Sequence, residues 1–194
     1  MKLVLATTSP SRIEVFTKSG IPFEAKGSNV DEYTADRPTE PEALVKYLSQ
    51  LKTEAVAKEC AEAIVIWFDS VAYFDGKILE KPKSRQEWFE RLQAMSGKEF
   101  SYYTGIYAIN LATQQQLSDC VITKAKLRAY DDTDINRYLD DGTDNYKTHA
   151  HGFNPYNQYS STFIESIIGE PLNMIGTPIA RIMKMIKDLW YKVE

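Results

Sequence analysis

The chain opens Met1-Lys2-Leu3-Val4-Leu5-Ala6-Thr7-Thr8-Ser9-Pro10-Ser11-Arg12, and this opening restricts the fold more than any other segment. A short apolar run, Lys2–Ala6, reads as a buried strand. It passes directly into hydroxyls, a proline and an arginine, and a helical pattern follows over Ser11–Ser19 until Gly20. Ser9 is suited to the N-cap, and Pro10 to the first helical position, where a missing N–H costs nothing. A strand-to-helix turn with free first-turn N–H groups, hydroxyls and a guanidinium beside it is an anion-binding arrangement. A β-α unit is therefore expected at the start of an α/β domain.

The rest of the chain supports that class. Pro22–Lys26 reads as a second short strand, and Asp31-Glu32 as an acidic loop. Glu42–Glu59 carries Leu44, Val45, Leu48, Leu51, Ala55 and Val56 at helical spacing. Ala63–Phe68 is an apolar strand expected to end at Asp69. Asp75-Gly76 between Val71–Phe74 and Lys77–Leu79 is a type I′ hairpin signal. Ser84–Met95 is a helix with Ser84 as its cap and Glu87 three residues on. Phe100–Leu111 and Leu117–Tyr130 read as long neighbouring strands, Asp131–Asp140 and Pro178–Val193 as helices. Gly142–Ser161 is irregular, and Phe163–Ile168 is either a short helix or a strand. Mixed element order predicts a mixed sheet in an α/β (α+β) fold.

Composition narrows the function. A net charge of −4 argues against a nucleic-acid module, which carries a basic excess. Cys60 and Cys120 stand alone, without disulfide-framework or metal-ligand spacing. No apolar run is long enough for a membrane span or a signal peptide, so a cytoplasmic protein is expected.

Several charged residues sit at element ends or on core-facing edges. Asp69 follows an apolar strand, at the carboxyl edge where open α/β sheets bind ligands. Lys52 falls near the apolar face of its helix, where a snorkelling lysine is the simplest account. Lys81 precedes Pro82 and is held extended. Glu32 could cap or ligate, and His149 with His151 would share one face of a strand. Three cations (Arg12, Lys52, Lys81) with two carboxylates (Glu32, Asp69) suit polyphosphate binding with a divalent metal.

These residues, in this order, resemble the Maf family of nucleoside triphosphate pyrophosphatases. The family's Ser-x-Ser-Pro-Arg-Arg is similar to Thr7-Thr8-Ser9-Pro10-Ser11-Arg12, and its Asp-Glu loop to Asp31-Glu32. Its helical lysine resembles Lys52, its Asp-Thr-Val resembles Asp69-Ser70-Val71, and its Asp-Gly-x-Ile-x-x-Lys-Pro resembles Asp75 through Pro82. Its Leu-Ser-Gly and Tyr-Thr-Gly match Met95-Ser96-Gly97 and Tyr103-Thr104-Gly105, and its closing segment matches Phe163-Ile164-Glu165 and Asn173 through Pro178.

The resemblance implies a mixed twisted sheet in a single two-lobed domain over residues 1–194, with a central cleft, similar to inosine triphosphate pyrophosphatases. It implies hydrolysis of NTP to NMP and pyrophosphate with Mg²⁺ or Mn²⁺. It assigns Asp69, Lys52 and Lys81 to catalysis, Glu32 and Asp69 to the metal, and Thr7, Ser9, Arg12, Ser70 and Asn157 to the substrate. House-cleaning of non-canonical or modified nucleotides is the expected role. A nucleotide-binding protein of weak turnover acting in cell division is the alternative, and a homodimer is the default oligomer. The chain departs from the family pattern at Ser11, where an arginine is usual. It departs again over His149–Gln158, where Asn157 replaces a glutamine. Asp69-Ser70-Val71 is similar to the dTTP/UTP branch, while Tyr102-Tyr103-Thr104-Gly105 resembles the 7-methyl-GTP branch.

Overall fold

The computed structural model describes residues 1–142 and 150–190. Its strands are β1 (Lys2–Leu5), β2 (Glu24–Ala25), β3 (Ala63–Phe74), β4 (Lys77–Leu79), β5 (Glu99–Asn110), β6 (Gln115–Leu127) and β7 (Ile164–Ile168). Its α-helices are α1 (Pro10–Lys18), α2 (Pro41–Ala57), α3 (Arg85–Met95), α4 (Asp132–Asp140) and α5 (Ile179–Trp190). The strands form one seven-stranded sheet in the order β2-β1-β3-β5-β6-β7, with β4 paired to β3. β1 runs parallel to β2 and β3, whereas β3–β4 and β6–β7 are antiparallel. The sheet is therefore mixed, as the element order predicts. Among the described residues no helix is long and apolar enough to cross a membrane.

The chain divides into two compact units. The first comprises Met1–Ser70, Tyr103–Val121 and Gly176–Glu194; the second comprises Val71–Tyr102 and Ile122–Ile175. In the first, Leu3, Leu5, Ile64, Ile66, Phe68 and Ile106 face Phe16 of α1 and Ile182, Met185, Ile186 and Leu189 of α5. A separate cluster gathers Val4, Val65 and Trp67 against Val56 of α2. The alternation along β1 and β3 thus covers both faces of the sheet, as a strand buried on both sides requires.

The close seating of α2 has a specific cause at Gly105. A Cβ there would lie 2.6 Å from Lys46 N and closer still to the Val45 carbonyl. Only glycine lets the β5 backbone come so near the helix. Thr53 ties the same helix to the same strand, its Oγ1 donating to Ser49 O (2.8 Å) and Tyr107 O (3.1 Å).

The second unit has a core of Trp88, Leu92, Phe100, Tyr130, Tyr138, Phe153 and Phe163. Its helix starts follow the sequence. Ser84 Oγ accepts from Glu87 N (3.1 Å), and Asp131 Oδ1 accepts from Thr133 N (2.9 Å) and Asp134 N (3.0 Å). The hairpin also forms, with Asp75 at φ 50° and Gly76 at φ 75°, the positive angles a type I′ turn needs.

Two readings are corrected, and the open one at Phe163–Ile168 is decided for the strand. β3 does not end at Asp69: it continues to Phe74, because Asp69, Ser70 and Val71 keep extended backbone, so the carboxylate lies mid-strand. Phe163–Ile168 resolves into a 3₁₀ turn (Ser160–Phe163) and strand β7. Ser9 holds the N-cap backbone position of α1 but makes no side-chain capping bond. Its own N–H is taken by Thr7 Oγ1 (3.0 Å), and its hydroxyl turns to Ser11 Oγ (3.1 Å).

Candidate active site

The first unit gathers charge around one buried lysine. Lys52 projects from the core-facing side of α2, together with Leu48, Ser49, Thr53 and Val56. Its side chain is only 8% exposed, so it does not snorkel to water. An ammonium this deep requires partners. Lys52 Nζ donates to Asp69 Oδ2 from β3 and lies 2.8 Å from Glu32 Oε1 in the loop before α2. Asp69 is 13% exposed and Glu32 41%. A helix, a strand and a loop therefore contribute one charge each to a common point.

The carboxylate of Asp69 is held on both oxygens. Oδ1 accepts from Ser70 N (2.9 Å), and Oδ2 also receives the indole N–H of Trp67 at 3.4 Å. Ser70 Oγ shares a 2.8 Å hydrogen bond with Thr104 Oγ1, a fully buried hydroxyl on β5. Beyond Ser70 the backbone of Gly176 passes so near that a Cβ would meet Ser70 Oγ at 2.7 Å and Arg12 Nη2 at 3.6 Å. Gly176 also has φ 70°, so glycine is required there twice over. Arg12 leans its guanidinium on aromatic rings, 5.2 Å from the centroid of Trp67 and 5.0 Å from that of Phe68.

The Glu32 loop is fastened to α2. Asp31 Oδ1 accepts from Tyr33 N (2.9 Å), and the Thr34 hydroxyl meets Tyr47 OH at 2.9 Å. Tyr47 also donates to Asp36 Oδ1 (3.4 Å). The loop that brings Glu32 to Lys52 is thus pinned by the same helix that carries Lys52. Chemically, the cluster offers a buried cation, two carboxylates, a second cation on an aromatic face, and several hydroxyls.

A family model described as "Maf-like protein" matches residues 2–189. The chain belongs to the Maf-like protein family. It is 35% identical over 189 residues to a dTTP/UTP pyrophosphatase of Clostridium perfringens (strain SM101 / Type A), covering 97% of each chain. It is 34% identical over 188 residues to a protein of the same description from Caldanaerobacter subterraneus subsp. tengcongensis, covering 96% of this chain and 88% of that one. Dictyoglomus turgidum has another, 28% identical over 192 residues.

In this Maf-like protein the residues singled out from sequence fall into two sets. Thr7, Ser9, Arg12, Glu32, Lys52, Asp69 and Ser70 belong to the first unit. Of these, Thr7 is buried, and its Oγ1 shapes the opening turn by accepting from Ser9 N. Lys81 and Asn157 belong to the second unit. Lys81 is exposed just after β4. Asn157 Oδ1 accepts from Tyr159 N (2.8 Å) and Ser160 N (3.3 Å), and so organises the 3₁₀ turn. Asn157 also lines a cavity of about 290 Å³ with Arg137, Asp141, Gln158 and Tyr159. His149 lies outside the described residues. His151 is not on a strand: it is fully buried in the second unit's core, its ring centroid 4.9 Å from Phe153 and 5.6 Å from Phe100. Sequence reasoning passed over Trp67, whose indole touches both cations and a carboxylate of the cluster. Within an apolar run its only signal was its place two residues before Asp69.

Proposed function

We propose that this chain hydrolyses nucleoside triphosphates to the monophosphate and pyrophosphate, with dTTP and UTP as its substrates. The observation that carries the reading is the convergence of Lys52, Asp69 and Glu32 from three separate elements. The description of the relatives as dTTP/UTP pyrophosphatases and the Asp69-Ser70-Val71 triplet support the choice of base.

In this reading Arg12, Lys52 and Lys81 bind the triphosphate and stabilise charge on the leaving pyrophosphate. Ser9 and Ser70 offer hydroxyls to phosphate oxygens. Glu32 and Asp69 would hold a hard divalent cation such as Mg²⁺ or Mn²⁺. The donor set fits, being two carboxylates brought to one point with Glu32 half exposed; such ions are held by one or two carboxylates completed by substrate phosphates. Among the described residues no three His, Cys, Asp or Glu side chains form a metal-holding group, which leaves the remaining positions to phosphate and water. When bound, the cation would offset the phosphate charge. Water adds to the α-phosphorus and gives its proton to Asp69. The bond from that phosphorus to the α,β-bridging oxygen breaks, and pyrophosphate departs with the electron pair.

The test is pyrophosphate release from dTTP, UTP, 7-methyl-GTP and the common NTPs with Mg²⁺ or Mn²⁺. Turnover is expected to be fastest on dTTP and UTP. Asp69→Asn should lower it by at least ~10²-fold, the usual cost of losing a general base. Absence of turnover on every nucleotide, with binding retained, would instead support the nucleotide-binding reading. Ser11 favours that second reading, since its hydroxyl bonds to Ser9 where a cation would otherwise enter the turn.

A further inference from the structure

We propose that Trp67 is a positioning residue that sets the geometry of the cation–carboxylate cluster before substrate arrives; the inference rests on the phosphate-binding reading of that cluster. One indole makes three contacts. Lys52 Nζ lies 5.0 Å from its ring centroid, the Arg12 guanidinium 5.2 Å, and its N–H donates to Asp69 Oδ2. Lys52 arrives from α2, Arg12 from α1 and Asp69 from β3, so the ring is a shared reference for three elements.

The physical need is clear. Lys52 and Arg12 are two like charges gathered at one low-dielectric place, and each would lower the other's occupancy there. A ring face carries negative charge density and attracts both without neutralising either. Asp69 and Glu32 already hold Lys52; the ring adds attraction for both cations without a further negative charge to compete with the phosphates they are to bind. The indole N–H meanwhile fixes the rotation of the Asp69 carboxylate through the oxygen that Lys52 also uses. Trp67 itself is 9% exposed and packed with Val4, Val65 and Val56, so it cannot swing aside.

Ring and N–H separate by substitution. Trp67→Phe keeps an aromatic face and loses the donor; Trp67→Leu loses both. With dTTP and Mg²⁺, Trp67→Phe should lower kcat roughly tenfold, the cost of one hydrogen bond to a charged group, with KM within about twofold. Trp67→Leu should lower kcat alike and also raise KM roughly tenfold, since two cations lose their aromatic support. That second rise should be larger at low salt, because the repulsion between Lys52 and Arg12, which the ring no longer offsets, is then less screened. A merely structural role would lower the melting temperature and the active fraction in both variants and leave KM unchanged.

A second readout does not need turnover. The chain has three tryptophans, so 5-fluorotryptophan labelling gives three ¹⁹F resonances, with that of Trp67 identified by its loss in Trp67→Phe. Inorganic tripolyphosphate should shift the Trp67 resonance most, and Lys52→Met should abolish most of that shift. If wild type releases no pyrophosphate yet tripolyphosphate moves Trp67, the hydrolase reading fails and the positioning role stands. If tripolyphosphate leaves the Trp67 resonance in place, or if both variants keep wild-type kcat and KM, the positioning role is overturned.

Discussion

At Lys52 one ammonium serves two carboxylates of unequal shelter, and this inequality sets the cost of removing each member. Lys52→Met would strand Asp69, which is largely shielded from water, and is expected to lower stability by roughly 3 kcal/mol. Asp69→Asn leaves Lys52 still facing Glu32 and should cost less. The double variant should cost less than the two singles together, since the stranded charge is then gone. Chemical denaturation of the three variants checks this, and simple additivity would deny the coupling. Ser11→Arg tests the opening turn: it should tighten triphosphate binding in a salt-sensitive way while costing helix α1 a few tenths of a kcal/mol, about what a cation in a first turn costs. An affinity indifferent to the substitution would place residue 11 outside the phosphate's reach. Lys52 and Asp69 were visible in the sequence because charge at an apolar face or strand is anomalous, and Glu32 through the resemblance of its Asp-Glu loop. Trp67 was not, because an aromatic residue in an apolar strand is chemically ordinary until its neighbours in space are known.

Among the elements, α2 is the one whose seating matters most to the cluster, and Gly105 sets that seating. Gly105→Ala would drive a methyl group into the Val45 carbonyl and is expected to cost about 3 kcal/mol or more, as overpacking against backbone does. Pushing α2 outward also displaces Lys52, so residual folded protein should show weakened nucleotide binding as well. Thermal unfolding and nucleotide titration together measure both effects; a near-neutral variant would mean that the helix yields freely. Element identity was largely readable where local chemistry decides it: the positive φ of Asp75-Gly76 and the caps at Ser84 and Asp131 need no tertiary information. It was misread where tertiary context decides. The Asp69-Ser70 pair has the look of a strand end, yet bonds from Lys52, Trp67 and Thr104 let polar residues continue in the sheet. Ser9 has the composition of a cap, but its hydroxyl turns to Ser11 Oγ and not to a first-turn N–H.

For the molecule as a whole, buried acids predict an alkaline limit. Burial pushes the Cys120 thiol from 9.0 up to about 12, and burial likewise raises Tyr107 and Tyr130. In the unfolded chain these groups ionise first. Through that window the folded state holds more protons than the unfolded state, so stability falls as pH rises above about 9. Denaturation midpoints measured from about pH 7 to about pH 11 should drop steeply at the upper end, and Cys120→Val should lessen the drop. A flat profile would contradict the burial of these groups.

The division of the chain into units has a consequence for how the protein comes into being on a ribosome. The first unit is assembled from three separated stretches of chain, and the last of them carries α5. Ile182, Met185, Ile186 and Leu189 of that helix cover Leu3, Leu5, Ile64 and Ile66, and Asn110 Nδ2 donates to Leu189 O at 2.9 Å. Strand β1 is made long before α5, so its apolar face waits for that helix. Vectorial folding from the amino end, which serves proteins built of contiguous domains, is closed to this one. A nascent chain released after Ile175 would display the bare sheet face, a ready target for chaperones and proteases.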